Sequence, residues 1–315
     1  MSCTVEGGPP VPPVVTGRPA RSGISIAGTA AVVVDHLALL KPRVIGLLAF
    51  TAVCTMVVAA HGWPPIGLVL ATLLGGALSA GGANALNNWV DADIDGVMSR
   101  TRSRPLPAGR IPRRRSLLVG VALGAGGFAV LLAWTTWLAA VLSLLALLVY
   151  VLVYTLWLKR STPQNIVIGG VAGALPPLVG WAAVTGRLGP TALIVFAVVL
   201  VWTPPHFWSL ALLMREDYAR ARVPMLPVVR GGAVTRRWIL GYTAVLVPVT
   251  LAPVAAGAMG AGYAAAALVL GAGFLWQAVR LLREATAAAG LRCYLYSLLY
   301  LAGLFAAMAV DRLVR

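Results

Sequence analysis

Acidic side chains are scarce in this sequence: nine Asp and Glu stand against 25 Lys and Arg in 315 residues, giving a net charge of +16. Cysteine is scarcer still. Cys3, Cys54 and Cys293 are scattered without CxxC spacing, which excludes a disulfide framework and a thiolate metal site. Charged residues make up only 11% of the chain, and no polar stretch is long enough to bury a core of its own. What fills the chain is apolar: 60% of residues are hydrophobic and the mean hydropathy is +0.89. Nine apolar runs, at 44–60, 67–90, 116–134, 137–157, 165–185, 190–211, 238–256, 260–282 and 293–310, are each long enough to cross a bilayer as a helix. They predict an all-α, polytopic membrane protein with about nine transmembrane helices.

The positive charge is placed by topology. With the N-terminus on the cytoplasmic side, every Lys and Arg except Arg187, Arg312 and Arg315 falls on that same side. This is the positive-inside pattern, so nucleic-acid binding is not needed to explain the charge. It predicts a C-terminus on the outer side; the expected location is a bacterial cytoplasmic (cell) membrane. Residues 1–23, rich in Pro and Gly, read as a disordered tail. Residues 24–315 read as one intramembrane domain. Its first part, 24–40, is interrupted by Asp35-His36 and reads as an interfacial helix, not a cleaved signal.

Against this background the few carboxylates are informative, because charge near a bilayer is expensive. Asp91, Asp93 and Asp95 crowd the end of the second apolar run, and Glu216-Asp217 follow the sixth. Both clusters open long loops, 91–115 and 212–237, while opposite-side connections such as Gly62-Trp63-Pro64-Pro65 are short. The chemistry is therefore expected on the cytoplasmic face. On a helix Asn84, Asn87 or Asn88, Asp91 and Asp95 share one face, and Asp93 points away from it. Oxygen donors of this kind suit Mg²⁺, which takes its remaining ligands from water and substrate phosphates. Downstream, Arg100, Arg102 and Arg104 are suited to neutralising a diphosphate, whereas Arg113-Arg114-Arg115 reads as a topology anchor.

Prolines interrupt three apolar runs: Pro176-Pro177, Pro204-Pro205, and Pro248 with Pro253. Freed carbonyls at membrane depth must face protein or a wet cavity. His206 adjoins the second pair and is the candidate functional histidine, able to ligate iron, move a proton or contact a diphosphate; the sequence leaves these roles open. His36 and His61 read as tail and interfacial residues. Ser161 and Gln164 have capping-box spacing, which predicts where Asn165 enters the membrane.

The stretch Asn87-Asn88-Trp89-Val90-Asp91-Ala92-Asp93-Ile94-Asp95, continuing to Arg100-Thr101-Arg102-Ser103-Arg104-Pro105-Leu106, resembles the first Asp-rich motif of the UbiA superfamily of intramembrane prenyltransferases. Within it the chain is similar to the heme-farnesylating branch, through Lys41-Pro42-Arg43-Val44, the run from Tyr154 to Asn165, and Thr203-Pro204-Pro205-His206-Phe207-Trp208 leading to Asp217-Tyr218 and Val223-Pro224-Met225-Leu226-Pro227. The resemblance covers about residues 36–310. Aromatic-substrate members usually carry a second DxxxD after the sixth helix; here Leu213 and Ala221 flank Asp217 at that spacing, and His206 occupies the neighbourhood.

The resemblance implies a UbiA-type helical bundle around a cytoplasm-facing cavity, and a Mg²⁺-dependent transfer of farnesyl from farnesyl diphosphate to a vinyl group of heme B, with water added. It implies metal binding by Asn87, Asp91 and Asp95, and catalytic roles for these with Lys159 and His206. Substrate contacts are expected from Asn84, Arg43, Arg100, Arg104, Tyr154, Asn165 and Asp217. Trp89, Trp157, Trp202, Phe207 and Trp208 are candidates to shield an allylic cation. Expected partners are the two substrates, membrane lipid, and a heme A synthase or terminal-oxidase assembly, with no nucleic acid. Two rival readings stay open: a prenyltransferase acting on a quinone precursor, and a transporter with a mid-membrane site.

Overall fold

The computed structural model describes residues 34–315, and the side chains of residues 42–44 lie outside that description. The expected tail, 1–23, and residues 24–33 of the expected interfacial helix also lie outside the described residues. Among the described residues every regular element is a helix.

The spans are α1 (Pro42–Ala60), α2 (Ile66–Val90), α4 (Arg113–Trp134), α5 (Trp137–Ser161), α6 (Asn165–Thr185), α7 (Pro190–Leu213), α10 (Gly231–Ala255), α11 (Ala261–Glu284) and α12 (Ala287–Val314). Short helices lie in the two long loops: α3 (Ala92–Val97), α8 (Arg215–Arg220) and α9 (Leu226–Val229). Eight helices are long and apolar enough to cross a membrane. A ninth span is bent, Val34–Leu40 meeting Ile45–Ala60 at 52°. The count agrees with the nine apolar runs.

Each span packs against the next along the chain, and α12 packs against α1, so the bundle closes into a ring. Contacts of α1 with α6 and of α7 with α12 cross it. Glycine sets the closest approach. A Cβ on Gly82 of α2 would lie 2.7 Å from the Gly120 oxygen and the Gly124 nitrogen of α4, and one on Gly127 equally close to the Gly75 oxygen and the Ser79 nitrogen. Backbones pack directly here, as small residues permit where lipid supplies no hydrophobic drive. The ring's outer surface is apolar, with Leu70, Leu118, Val269 and Leu299 exposed. Trp63, Trp134 and Trp137 cluster at helix ends, where amphipathic rings sit at the membrane boundary.

Two local features depart from the sequence reading. The expected capping box is not formed: Ser161 still belongs to α5, and its hydroxyl donates to the Trp157 carbonyl at 2.9 Å, while Gln164 makes no side-chain cap. The second half of α5, Val149–Leu158, is π-helical. Such wide turns are uncommon and often accompany functional sites. This one brings Thr155 and Lys159 against α2.

Candidate active site

Asp91 ends α2 and is 1% exposed. Its Oδ2 accepts from Lys159 Nζ at 2.5 Å and from Asn87 Nδ2 at 2.7 Å. The other oxygen, Oδ1, is buried without a hydrogen-bond partner among the described residues; the guanidinium of Arg160 lies 3.7 Å away. One turn on, Asp95 is 3% exposed and its Oδ2 pairs with Arg104 Nη1 at 2.7 Å. Arg104 also reaches Asn88 Oδ1 at 3.4 Å. Asn87 is the hub. Its Oδ1 accepts from Lys41 Nζ at 2.8 Å, and its Nδ2 also donates to Thr155 Oγ1 at 3.1 Å. Thr155 in turn donates to the Tyr150 carbonyl, five residues back, so the π-turn holds the hydroxyl in place.

The two acidic clusters meet through a contact the sequence does not announce. Ser99, in the first long loop, donates its hydroxyl to Asp217 Oδ2 at 2.7 Å, with its backbone N–H at 3.4 Å from Oδ1. Arg220 also pairs with Asp217. The Ser99 hydrogen bond, then Arg220, hold the Asp217 carboxyl below the usual carboxylate range. A cleft of about 700 Å³ opens here, lined by Ser99, Leu213, Met214, Arg215, Asp217 and Arg220. Its lining does not include Asp91 or Asp95. Asp93 does point away, as its helical position requires: it is exposed and bonded to both Nη atoms of Arg160 at 2.8 Å, which lowers its pKa to about 2.

The remaining expected residues divide. Asn165, at the start of α6, is fully buried, and neither its Nδ2 nor its Oδ1 has a hydrogen-bond partner among the described residues. Tyr154 of α5 packs on Gly169 of α6 and stacks on Tyr150 at 5.6 Å. Arg100 is exposed and within electrostatic range of Tyr218, whose hydroxyl burial pushes up in pKa. Asn84 donates to the Leu40 carbonyl at 2.9 Å. The side chain of Arg43 lies outside the described residues.

His206 stands apart from the carboxylates. It lies between Trp202, 4.3 Å between ring centroids, and Tyr294 of α12 at 4.9 Å, and its Nδ1 bonds Ser297 Oγ at 2.7 Å. Of the aromatic candidates, Trp202 stacks on it, Trp208 packs edge-on to Trp238 and Tyr242, Trp89 packs with Leu39 and Ile111, and Trp157 is 64% exposed. Lys41, Ser99 and Thr155 join the candidate site through contacts that spacing alone could not find, since each meets a partner distant in sequence: Asn87 for Lys41 and Thr155, Asp217 for Ser99.

No group of three or more His, Cys, Asp or Glu among the described residues forms a metal cluster by itself. The donor set nevertheless fits a hard divalent cation that shares its shell with phosphate. Asp91 Oδ1 is an orphaned buried oxygen, and Asp91, Asp95 and the Asn87 oxygen are all of the oxygen type Mg²⁺ takes.

The family model described as the UbiA prenyltransferase family matches residues 47–307, most of the chain and both acidic clusters. The chain belongs to the UbiA prenyltransferase family. Among UbiA relatives, a protein of Symbiobacterium thermophilum named protoheme IX farnesyltransferase is 54% identical over 282 residues, covering 89% of this chain and 94% of the relative. A protein of Roseiflexus sp. (strain RS-1) with the same name is 49% identical over 312 residues; 97% of this chain is covered, and the chain spans 58% of that relative's length. Solved structures share the UbiA fold. That of digeranylgeranylglyceryl phosphate synthase aligns with TM-score 0.74 at 17% identity, covering 90% of this chain and 99% of that one. A UbiA homolog from Archaeoglobus fulgidus, bound to GPP and Mg²⁺, aligns with TM-score 0.59 at 18% identity, covering 87% and 99%.

Proposed function

We propose that this UbiA family member transfers the farnesyl group of farnesyl diphosphate to a vinyl carbon of heme B, with water addition, to give heme O and diphosphate. The observation that carries the donor side is Asp91: a carboxylate buried at a helix end, cradled by Lys159 and Asn87, with one oxygen left over. The acceptor is supported by the 54% identity to a near-full-length relative named for that substrate. The Archaeoglobus neighbour, with GPP and Mg²⁺ bound, supports a prenyl diphosphate and a divalent ion.

Asp91, Asp95 and the Asn87 oxygen would hold the ion, Mg²⁺ in this reading, which would supply positive charge against that growing on the diphosphate. Lys159 and Arg104, released from their carboxylates, donate to the phosphate oxygens, and Arg100 approaches from the loop. As the farnesyl C1–O bond breaks, its electron pair leaves with diphosphate. The vinyl π electrons of heme form the new C–C bond. Water closes the resulting cation and loses one proton, leaving the hydroxyl. The bundle's apolar wall keeps bulk water from the allylic cation before the vinyl group reaches it. The positive-inside pattern supports a cytoplasmic membrane location, with the N-terminus and both site loops on the cytoplasmic side. Domain limits of 24–315 are part of the same proposal.

The test is direct. Purified protein given heme B, farnesyl diphosphate and Mg²⁺ is expected to yield a hydroxyethylfarnesyl heme by mass spectrometry. Prenylation of 4-hydroxybenzoate with no heme product would move the assignment to a quinone precursor.

A further inference from the structure

Two asparagines of the polar wall are turned away from the carboxylates. Asn84 Nδ2 donates to the Leu40 carbonyl at 2.9 Å, and Asn88 Nδ2 to the Leu39 carbonyl at 3.1 Å. These carbonyls end the short helix Val34–Leu40 and belong to the set that a helix terminus leaves without internal partners. The next residue, Lys41, takes φ 53° and ψ 60°, a left-handed conformation that costs a residue bearing a Cβ. The helix restarts at Pro42, whose fixed φ suits a first turn. The break is thus held from outside, by two side-chain amides of α2.

Its effect is to carry the Lys41 ammonium into the site, where it donates to Asn87 Oδ1. Arg104, Lys159, Asp91 and Asp95 all lie within electrostatic range of it. Lys41 forms no ion pair with either carboxylate: Lys159 pairs with Asp91, and Arg104 with Asp95. Arg160 is shared between Asp91 and Asp93, so four cations face three anions, one positive charge in excess. Divalent metal would widen the surplus, and an anionic ligand is what neutralises it.

We propose that Lys41 binds the diphosphate of the prenyl donor, and that Asn84 and Asn88 are positioning residues that hold the left-handed break from which it reaches. This rests on the prenyl-transfer reading above. Asn88 does double duty, since its oxygen also meets Arg104.

The experiment measures binding of farnesyl thiodiphosphate, a slow-ionising donor analogue, to the full purified chain with Mg²⁺, alongside KM and kcat for the true donor. Lys41→Met is expected to weaken binding by about 10- to 100-fold, the range for a lost charge-assisted hydrogen bond. Lys41→Arg recovers most of that. Asn84→Leu raises KM for the donor with little change in kcat. The double variant Lys41→Met with Asn84→Leu binds no worse than Lys41→Met alone, because both act through one ammonium. Asn84→Asp, which keeps the shape and loses the amide donor, serves if the leucine variant does not fold. Wild-type affinity in Lys41→Met, or losses that add in the double variant, overturns the proposal while leaving prenyl transfer intact. A wild-type protein that binds no prenyl diphosphate overturns both.

Discussion

At the scale of single residues, the site is built on uneven treatment of like groups. Asp91 and Asp93 are two positions apart, yet one is buried with an oxygen that no hydrogen bond reaches among the described residues, and the other is exposed on Arg160. Only the first suits metal and phosphate. Asp91→Asn keeps the shape and removes the charge, and is expected to lower turnover by about 10²–10³-fold or more, on the scale of losing one preorganised electrostatic group. Purified variant assayed with saturating Mg²⁺ checks this; near-normal turnover would remove Asp91 from the site. Asn165 makes the complementary case. A fully buried amide with neither atom paired costs about 1–3 kcal/mol, so a structure that keeps it needs a reason. Asn165→Leu is expected to raise the melting temperature while depressing turnover. A variant both less stable and fully active would show the amide to be packing. The sequence marked both residues because Asp and Asn in an apolar run stand out. It could not mark Thr155 or Ser99, ordinary hydroxyls whose meaning comes from Asn87 and Asp217, 68 and 118 positions away.

At the scale of elements, the spans were legible because the bilayer demands about 20 apolar residues in every crossing. Their irregularities were not. A π-turn over Val149–Leu158 and a left-handed Lys41 are set by partners in other helices, as the missing capping box shows in reverse. Helix pairing left a clearer trace in glycine. At Gly82 a Cβ would strike α4 backbone at 2.7 Å, while Gly126, on α4 itself, meets nothing within 4 Å. Gly82→Ala is expected to destabilise by about 1–3 kcal/mol through overpacking, and Gly126→Ala to be neutral or stabilising by up to about 1 kcal/mol. Thermal melts of both variants in detergent separate the outcomes; equal effects would mean that α2 and α4 are not in backbone contact. The loops are joined by Ser99 and Asp217 in a pH-dependent way. Because the folded Asp217 carboxyl is held low, its contribution is complete above the unfolded value of about 3.9 and is lost as pH falls through the folded one. Asp217→Asn should flatten the acid limb of the melting profile, and an unchanged limb would place the tie elsewhere.

At the scale of the whole molecule, the two ends of the ring are chemically different. One end gathers Lys41, Asp91, Asp95, Arg104, Lys159, and the Ser99–Asp217 tie. The other holds the His61–Arg312 contact, and Asp311, which accepts from the backbone N–H groups of Gly260 and Tyr263 at the start of α11. With arginines so plentiful, most must serve orientation and not chemistry. In the proposed reaction Arg114, exposed at the start of α4, is of that kind, and Arg104, bonded to Asp95, is not. A net-charge argument cannot tell them apart; position can. If the site end faces the cytoplasm, a fluorescent protein fused within loop 100–110 should fold and fluoresce, and alkaline phosphatase fused after Arg315 should be active. Arg114→Ala should leave both turnover and this pattern intact, since its neighbours Arg113 and Arg115 still anchor the loop. An inverted reporter pattern would put the site on the face away from cytoplasmic diphosphate, and the proposed reaction could not then draw on that supply.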